Sequence, residues 1–314
     1  MKLVVFQPPG GDPRPGLMTD RGVVDLSFLT GHGAAAQQAM LRIIDEFEDL
    51  RPTLENVAAE VEAMPVDAVR LRPPIPRPGK ILACIANYWE HAQREPRPLN
   101  MFLKNPDAVV GPGDTIMLPE FTEPWCFMHE AELAIVIKGP AKRVARENWR
   151  SAVFGYTAMI DVSARGDGRF TWPKGPPASW LGKSFDTFAP IGPCIVTADE
   201  ITEPNDLLVR FWNDGQLRHN YSTDDMEHPV PELIEFATTV MTMHSGDLIA
   251  CGTNHEGLGM LQDGERVEIE IERIGRMSLT VADPLKRQWE KGVYMGPNST
   301  NPDAVRRNRP GAGS

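Results

Sequence analysis

Proline and glycine interrupt this chain so often that no long helical bundle can be built from it: 29 prolines and 27 glycines are spread over 314 residues. Proline removes a backbone donor and glycine gives up the most conformational freedom on ordering, so both tend to end regular elements. Between them lie short apolar runs, which predicts many short strands and turns. The strands expected are 81–86, 131–137, 155–161, 192–197, 207–213, 248–251, 266–271 and 277–282. One helix is expected among them, at 230–243, with Pro231 in its first turn and Leu233, Ile234, Ala237, Val240 and Met241 as its apolar stripe. The fold class is therefore α+β and strand-rich.

Residues 1–75 read as a small N-terminal domain and linker. LVVF (3–6) and VVDL (23–26) are short strands on either side of a Gly/Pro-rich loop. A helix is expected from about 34 to 61, where Met40, Ile43, Ile44 and Phe47 recur at helical spacing. RLRPPIPRPGK (70–80) carries four prolines and reads as a stiff connector. A larger domain follows over 76–284, and 285–314 is a polar extension, partly docked through Trp289, Tyr294 and Met295 and then frayed.

The charge balance narrows the partners. There are 43 acidic and 32 basic residues, a net charge of −11, which argues against nucleic acid because phosphate binding needs basic surface. No apolar run approaches the ~18 residues that cross a bilayer, and MKLVVF is too short for a signal-peptide core. The expectation is a soluble cytoplasmic protein with no membrane partner. Cys84, Cys126, Cys194 and Cys251 are widely spaced and form no CxxC pair, so they read as buried reduced thiols. No Gly-rich loop joins a strand to a helix in the manner that cradles phosphate.

The chemistry concentrates in HEAELAIVIKG (129–139). Side chains alternate along a strand, so Glu130 and Glu132 share one face and the aliphatic residues the other. That pattern suits either the wet side of a half-buried strand or a carboxylate pair converging on a hard cation. A third oxygen ligand decides between them, and Asp161, after the apolar run VFGYTAMI (153–160), is the candidate. Three carboxylates without a Cys/His cluster favour Mg²⁺ or Mn²⁺, with Ca²⁺ also suited, over zinc.

Seven collinear blocks then resemble the fumarylacetoacetate hydrolase superfamily. They are KILACIANYWEHAQ (80–93), FLKNPDAVVGPGDTIMLP (102–119), HEAELAIVIKG (129–139), FGYTAMIDVSAR (154–165), LGKSFDTFAPIGP (181–193), NDGQLRHNYSTDDM (213–226) and SGDLIACGTNHEGLG (245–259). The resemblance implies a mixed β-sheet roll or barrel with a small N-terminal domain, usually dimerising through the larger domain. It implies a metal site of Glu130, Glu132 and Asp161, with Lys183 beside metal and substrate as a catalytic cation. It also implies that Tyr88, Arg165 and Thr253 line the substrate, and His219 and His255, which depart from the family pattern, fall around the same pocket as further substrate-binding candidates.

The family's proton handler is a histidine after the NY pair, usually with a glutamate three residues later. Here that is His91; Arg94 stands at the third position, so Glu95 at the fourth, on the same side of a helical turn though just before Pro96, is the expected catalytic partner. His219 replaces the usual glutamine after the NG turn, and GTNH stands where GTP is common. The activity implied is metal-dependent hydrolysis of a C–C bond in a 1,3-dicarbonyl oxo acid, such as an acylpyruvate, through a metal-stabilised enolate. Isomerisation or decarboxylation of a related oxo acid is the alternative, and a catalytically silent binding protein a further one.

Overall fold

The structure is a computed structural model, described here for residues 1–29, 35–90, 92, 94–122, 124, 126–166, 171, 180–289 and 293–294. Three strands form its centre: Ala131–Ile137, Val153–Ile160 and Ala189–Thr197. Their sequences are almost continuously apolar, and all three are buried along their whole length, as strands covered on both faces must be. They belong to an 11-stranded mixed sheet whose main path runs from Gly22–Asp25 at one end to Met101–Lys104 at the other. Among the described residues no pairing joins those ends into a closed barrel.

The second sheet has five strands, in the order Gln216–Ser222, Leu208–Asn213, Arg266–Ile271, Gly275–Ala282 and Thr115–Met117. Burial alternates along Leu208–Asn213 and Arg266–Ile271, which turn one face to the core and the other outward. Val209, Phe211, Val267, Ile269 and Ile271 supply that inner face.

The N-terminal strands are continuous with the large sheet. Lys2–Gln7 pairs antiparallel with Ala189–Thr197, Lys2 opposite Val196 and Leu3 opposite Ile195. Arg14–Thr19, which contains Pro15 and Gly16 and reads as loop by sequence, is a strand between Lys2–Gln7 and Gly22–Asp25. The connector is extended in part, since Arg70–Arg72 also pairs with Lys2–Gln7. The helix expected over 34–61 is two helices, Ala36–Asp45 and Phe47–Glu60, broken at Glu46 (φ −98°, ψ 14°). The bend lets Met40, Ile43 and Ile44 of the first and Phe47, Leu54 and Val57 of the second all reach the core. The helix expected at 230–243 stops at Val240, where Met241 turns extended and Met243 bridges to Ala141.

All four cysteines are buried free thiols. Trp289 packs edge-on against Phe127 at 5.7 Å, and Val293–Tyr294 pairs with Leu258–Gly259. Among the described residues no helix is long and apolar enough to cross a membrane.

Candidate metal centre

Two strand ends bring the carboxylates together. Ala131 pairs with Ile160 in the antiparallel register, so the flanking residues Glu130 and Asp161 also meet, and the Asp161 N–H donates to the Glu130 carbonyl at 2.8 Å. Glu132 lies two residues on, on the same side of the pleat. Glu130, Glu132 and Asp161 each offer an oxygen such that the three lie within 4.8 Å of one another. Relative exposures of 5%, 0% and 0% rule out the wet-face reading of this strand. The acidic face is covered by the loop after Leu248–Ala250 and by Tyr221, whose hydroxyl donates to the Ala131 carbonyl.

Cations surround the cluster unevenly. Lys183, itself 3% exposed, places Nζ 2.7 Å from Glu130 Oε2 and 2.6 Å from Asp161 Oδ2. Arg165 donates to Glu130 Oε1. Burial alone would raise the Glu130 carboxyl, but the charges of Lys183 and Arg165 overcome it and hold the group well below the usual carboxylate range. Burial likewise pulls Lys183 down, and Asp161 and Glu130 more than compensate, leaving it above its ordinary value.

Glu132 is the opposite case. Burial, then the charges of Asp161 and Glu130, push its carboxyl well above the ordinary range, against only Lys183 and the Gly252 N–H. Gly252 N–H donates to Glu132 Oε2 at 2.7 Å, while Oε1 is buried and has no hydrogen-bond partner among the described residues. A buried, unpaired carboxylate oxygen is costly. A hard divalent cation among these oxygens supplies the missing charge and ligand, so the residues fit Mg²⁺ or Mn²⁺. Gly252 delivers its N–H from the left-handed region (φ +85°), and a Cβ there would stand 3.1 Å from Asn87 Cβ.

Sequence reading missed Lys104. It is 2% exposed, and its Nζ lies 2.6 Å from Asp161 Oδ1 while also donating to the Lys183 carbonyl. Burial pulls its pKa down, against the attraction of Asp161. The available signal was alternation in MFLK, where Lys104 shares the inward face of Phe102.

The remaining expected residues fall around this centre. Thr253 is buried, its Oγ1 3.4 Å from the Tyr221 hydroxyl, and Tyr88 is fully buried with its ring edge-on to Tyr221 at 5.0 Å. His219 is also fully buried, its Nδ1 2.9 Å from the Glu256 carbonyl and its Nε2 3.1 Å from His129 Nδ1. His255 is partly exposed and pairs through Nδ1 with Glu90, a residue not anticipated. Glu95 is exposed, and Arg94 beside it is bound by Glu227. His91 lies outside the described residues, as do Met295 and the loop residues around Asp167.

Fold and site together define a strand-rich protein with a buried carboxylate cluster whose chemistry fits a divalent cation. The chain belongs to the fumarylacetoacetate hydrolase family: residues 80–282 match the Fumarylacetoacetate (FAA) hydrolase C-terminal family. A maleylpyruvate hydrolase structure from Sphingobium sp. SYK-6, in complex with manganese(II) and pyruvate, superposes with a TM-score of 0.79 at 35% identity, covering 90% of this chain and 99% of that one. The maleylpyruvate hydrolase of Aquipseudomonas alcaligenes is 33% identical over 258 residues, 75% of this chain and 86% of the relative. A mitochondrial oxaloacetate tautomerase of Rattus norvegicus is 32% identical over 293 residues, 88% of this chain and 90% of the relative.

Proposed function

We propose that this protein is a divalent-metal-dependent hydrolase that cleaves a C–C bond in a 1,3-dicarbonyl oxo acid of the acylpyruvate type. The observation carrying the proposal is the buried Glu130–Glu132–Asp161 cluster with Lys183 beside it. Support comes from the maleylpyruvate hydrolases it resembles, one of them holding manganese(II) and pyruvate.

Glu130, Glu132 and Asp161 hold the cation, Mg²⁺ or Mn²⁺. When bound, the cation supplies Lewis-acid polarisation of the substrate's 2-oxo group. Lys183 and Arg165 provide the positive charge that draws an anionic oxo acid into an otherwise acidic site. Lys183 also stabilises negative charge developing on oxygen, and Thr253 orients a substrate oxygen. A base then deprotonates water, hydroxide adds to the distal carbonyl, and collapse of the adduct breaks the C–C bond. The fragment released is an enolate, which takes up a proton at carbon.

A second reading, keto–enol tautomerisation or isomerisation of a related oxo acid, is favoured by one observation. The position three residues after His91 carries Arg94, engaged by Glu227, where a water-activating pair would place a carboxylate. The protein is further expected to act as a homodimer.

The test is an ultraviolet assay on a panel of acylpyruvates with Mg²⁺ or Mn²⁺, alongside enol oxaloacetate. Metal-dependent loss of the dicarbonyl absorbance with release of pyruvate supports hydrolysis. Accelerated enol loss from oxaloacetate without cleavage of any acylpyruvate supports the tautomerase reading. Inactivity on both, in protein shown to bind metal, sinks the assignment.

A further inference from the structure

The segment expected to handle protons divides differently in the structure. Glu95 is exposed, and Arg94 is drawn together with Arg97 onto Glu227. A carboxylate nevertheless stands close by in Glu90, whose Oε1 accepts from the His255 backbone N–H at 3.0 Å and pairs with His255 Nδ1.

Both halves of this pair are tied to the site. Gly252, three residues before His255, is hydrogen-bonded to the metal-cluster residue Glu132. Asp225 Oδ2 accepts from the Glu90 N–H at 3.1 Å and from Asn254 Nδ2 at 3.0 Å, so one carboxylate clamps the two loops. Glu90 itself adopts a left-handed backbone (φ +53°). Non-glycine residues hold that conformation only where surrounding contacts enforce it, often at functional sites.

The hydrogen bond decides the tautomer. Glu90 is ionised: burial raises its carboxyl, but its contacts with His255, the side-chain hydrogen bond foremost, outweigh burial and leave it below the ordinary value. An ionised carboxylate only accepts, so His255 Nδ1 carries the proton and the neutral ring keeps a lone pair on Nε2. Among the described residues Nε2 is not hydrogen-bonded, and each side chain is 25% exposed, open to a small ligand. The charged and titratable groups facing the pair are Asp225, Glu130, His219, Arg94 and Arg97.

Building on the oxo-acid reading above, we infer that His255 is the catalytic group that moves the proton at C3 of the substrate, and that Glu90 is its positioning residue. In the enolising direction, the C3–H bond breaks and Nε2–H forms. The C–H electron pair becomes the C2–C3 double bond, and the carbonyl π pair moves onto the 2-oxygen. In reverse, the C2–C3 double-bond pair takes the proton from Nε2–H to form C3–H, the pair on the 2-oxygen re-forms the carbonyl π bond, and the imidazole is left neutral. During hydrolysis the same imidazolium protonates the enolate left by C–C cleavage, its proton having come from the attacking water.

The experiment uses pyruvate in D₂O with the Mg²⁺-loaded full-length protein, following the methyl signal by proton NMR. Wild type is expected to exchange the methyl protons, and His255→Ala and His255→Gln to lose roughly 10²–10⁴-fold in rate with Mg²⁺ affinity unchanged by calorimetry. Glu90→Gln should lower kcat for exchange and leave the KM for pyruvate unchanged, because the ring stays in place but its Nδ1–H is no longer fixed by a carboxylate. Full exchange in both His255 variants overturns the inference, as does an unchanged kcat for exchange in Glu90→Gln. Acylpyruvate hydrolysis by wild type without methyl exchange overturns it too. If wild type neither exchanges pyruvate nor turns over any oxo acid, the proposed function itself has failed; an active wild type with an equally active His255→Ala removes only this pair.

Discussion

Lys104 and Asp161 form an ion pair of 2.6 Å in which both side chains are completely buried. Lys183 holds the other oxygen of the same carboxylate at 2.6 Å, so Asp161 is pinned from two sides before any ligand arrives. Pinning a ligand residue in this way fixes its orientation in advance. Lys104→Met removes one partner and leaves the carboxylate under-compensated, the costly way to break a buried pair. Unfolding by urea in the presence of chelator should show a loss of about 3–5 kcal/mol. A change under ~0.5 kcal/mol, the range of ordinary surface substitutions, would show that the pair is not part of the folded protein.

Glu132→Gln should act in opposite directions with and without metal. In metal-free protein the buried carboxyl has too little positive charge around it, so a neutral amide of the same shape should be neutral or stabilising. With Mn²⁺ at a hundredfold excess over its dissociation constant, wild type should gain about 2.7 kcal/mol by mass action, and the variant most of that less. Thermal unfolding of both proteins across a Mn²⁺ titration is the measurement. Equal metal stabilisation of the two would take Glu132 out of the ligand set.

How far the sequence carried the fold and site follows from where each signal resides. Glu130, Glu132 and Asp161 were legible because alternation and strand ends are local features, and the family blocks ordered them. Their burial was not legible, since it comes from Tyr221 and the loop at Gly252 closing over the strand. Lys104 was overlooked because a lysine is ordinarily solvated, and only the distant Asp161 makes its burial tolerable. The pairing of Glu90 with His255 spans 165 positions and depends on a left-handed residue beside His91, which no periodicity announces. Gln216–Ser222 was missed as a strand because QLRHNYS is polar, although His219 and Tyr221 turn inward.

Glu227 should make the approach to the site acid-sensitive. Its carboxyl is raised by burial, but bonds from Arg94 and Arg97 outweigh this and bring it down to about 2. Arg97 donates through its backbone at 2.8 Å and its Nε at 2.7 Å, and the Glu227 N–H bonds the Asn87 carbonyl. A depressed acid contributes stability that is complete above its unfolded value, near 4.5, and is lost as pH falls through about 2. Hydrogen exchange of residues 94–97 should therefore rise across that window in wild type and be already elevated, without the step, in Glu227→Gln. Identical exchange in the two proteins would remove Glu227 as the fastener of this loop.

His219 predicts a second, milder pH dependence. Its Nδ1 must donate to the Glu256 carbonyl, so the neutral ring accepts at Nε2 from His129 Nδ1–H, and His129 Nε2 ends the chain as a buried acceptor with no partner among the described residues. Protonating His219 would make its Nε2 a donor, forcing His129 into the other tautomer with a buried Nε2–H that has no acceptor among the described residues. Burial chiefly, with smaller contributions from the nearby charges of His255 and Arg218, pushes it down to about 4. Burial, then His219 and Arg218, keep His129 well below its ordinary value too. For a histidine depressed in the folded state, the stabilisation is complete above the unfolded value, near 6.5, and drains away as pH falls towards 4. Chemical denaturation at intervals between pH 7.5 and pH 4 should show that decline, steeper in wild type than in His219→Gln, whose amide can still donate to Glu256. Equal slopes for the two proteins would mean that the buried histidine chain does not report on pH.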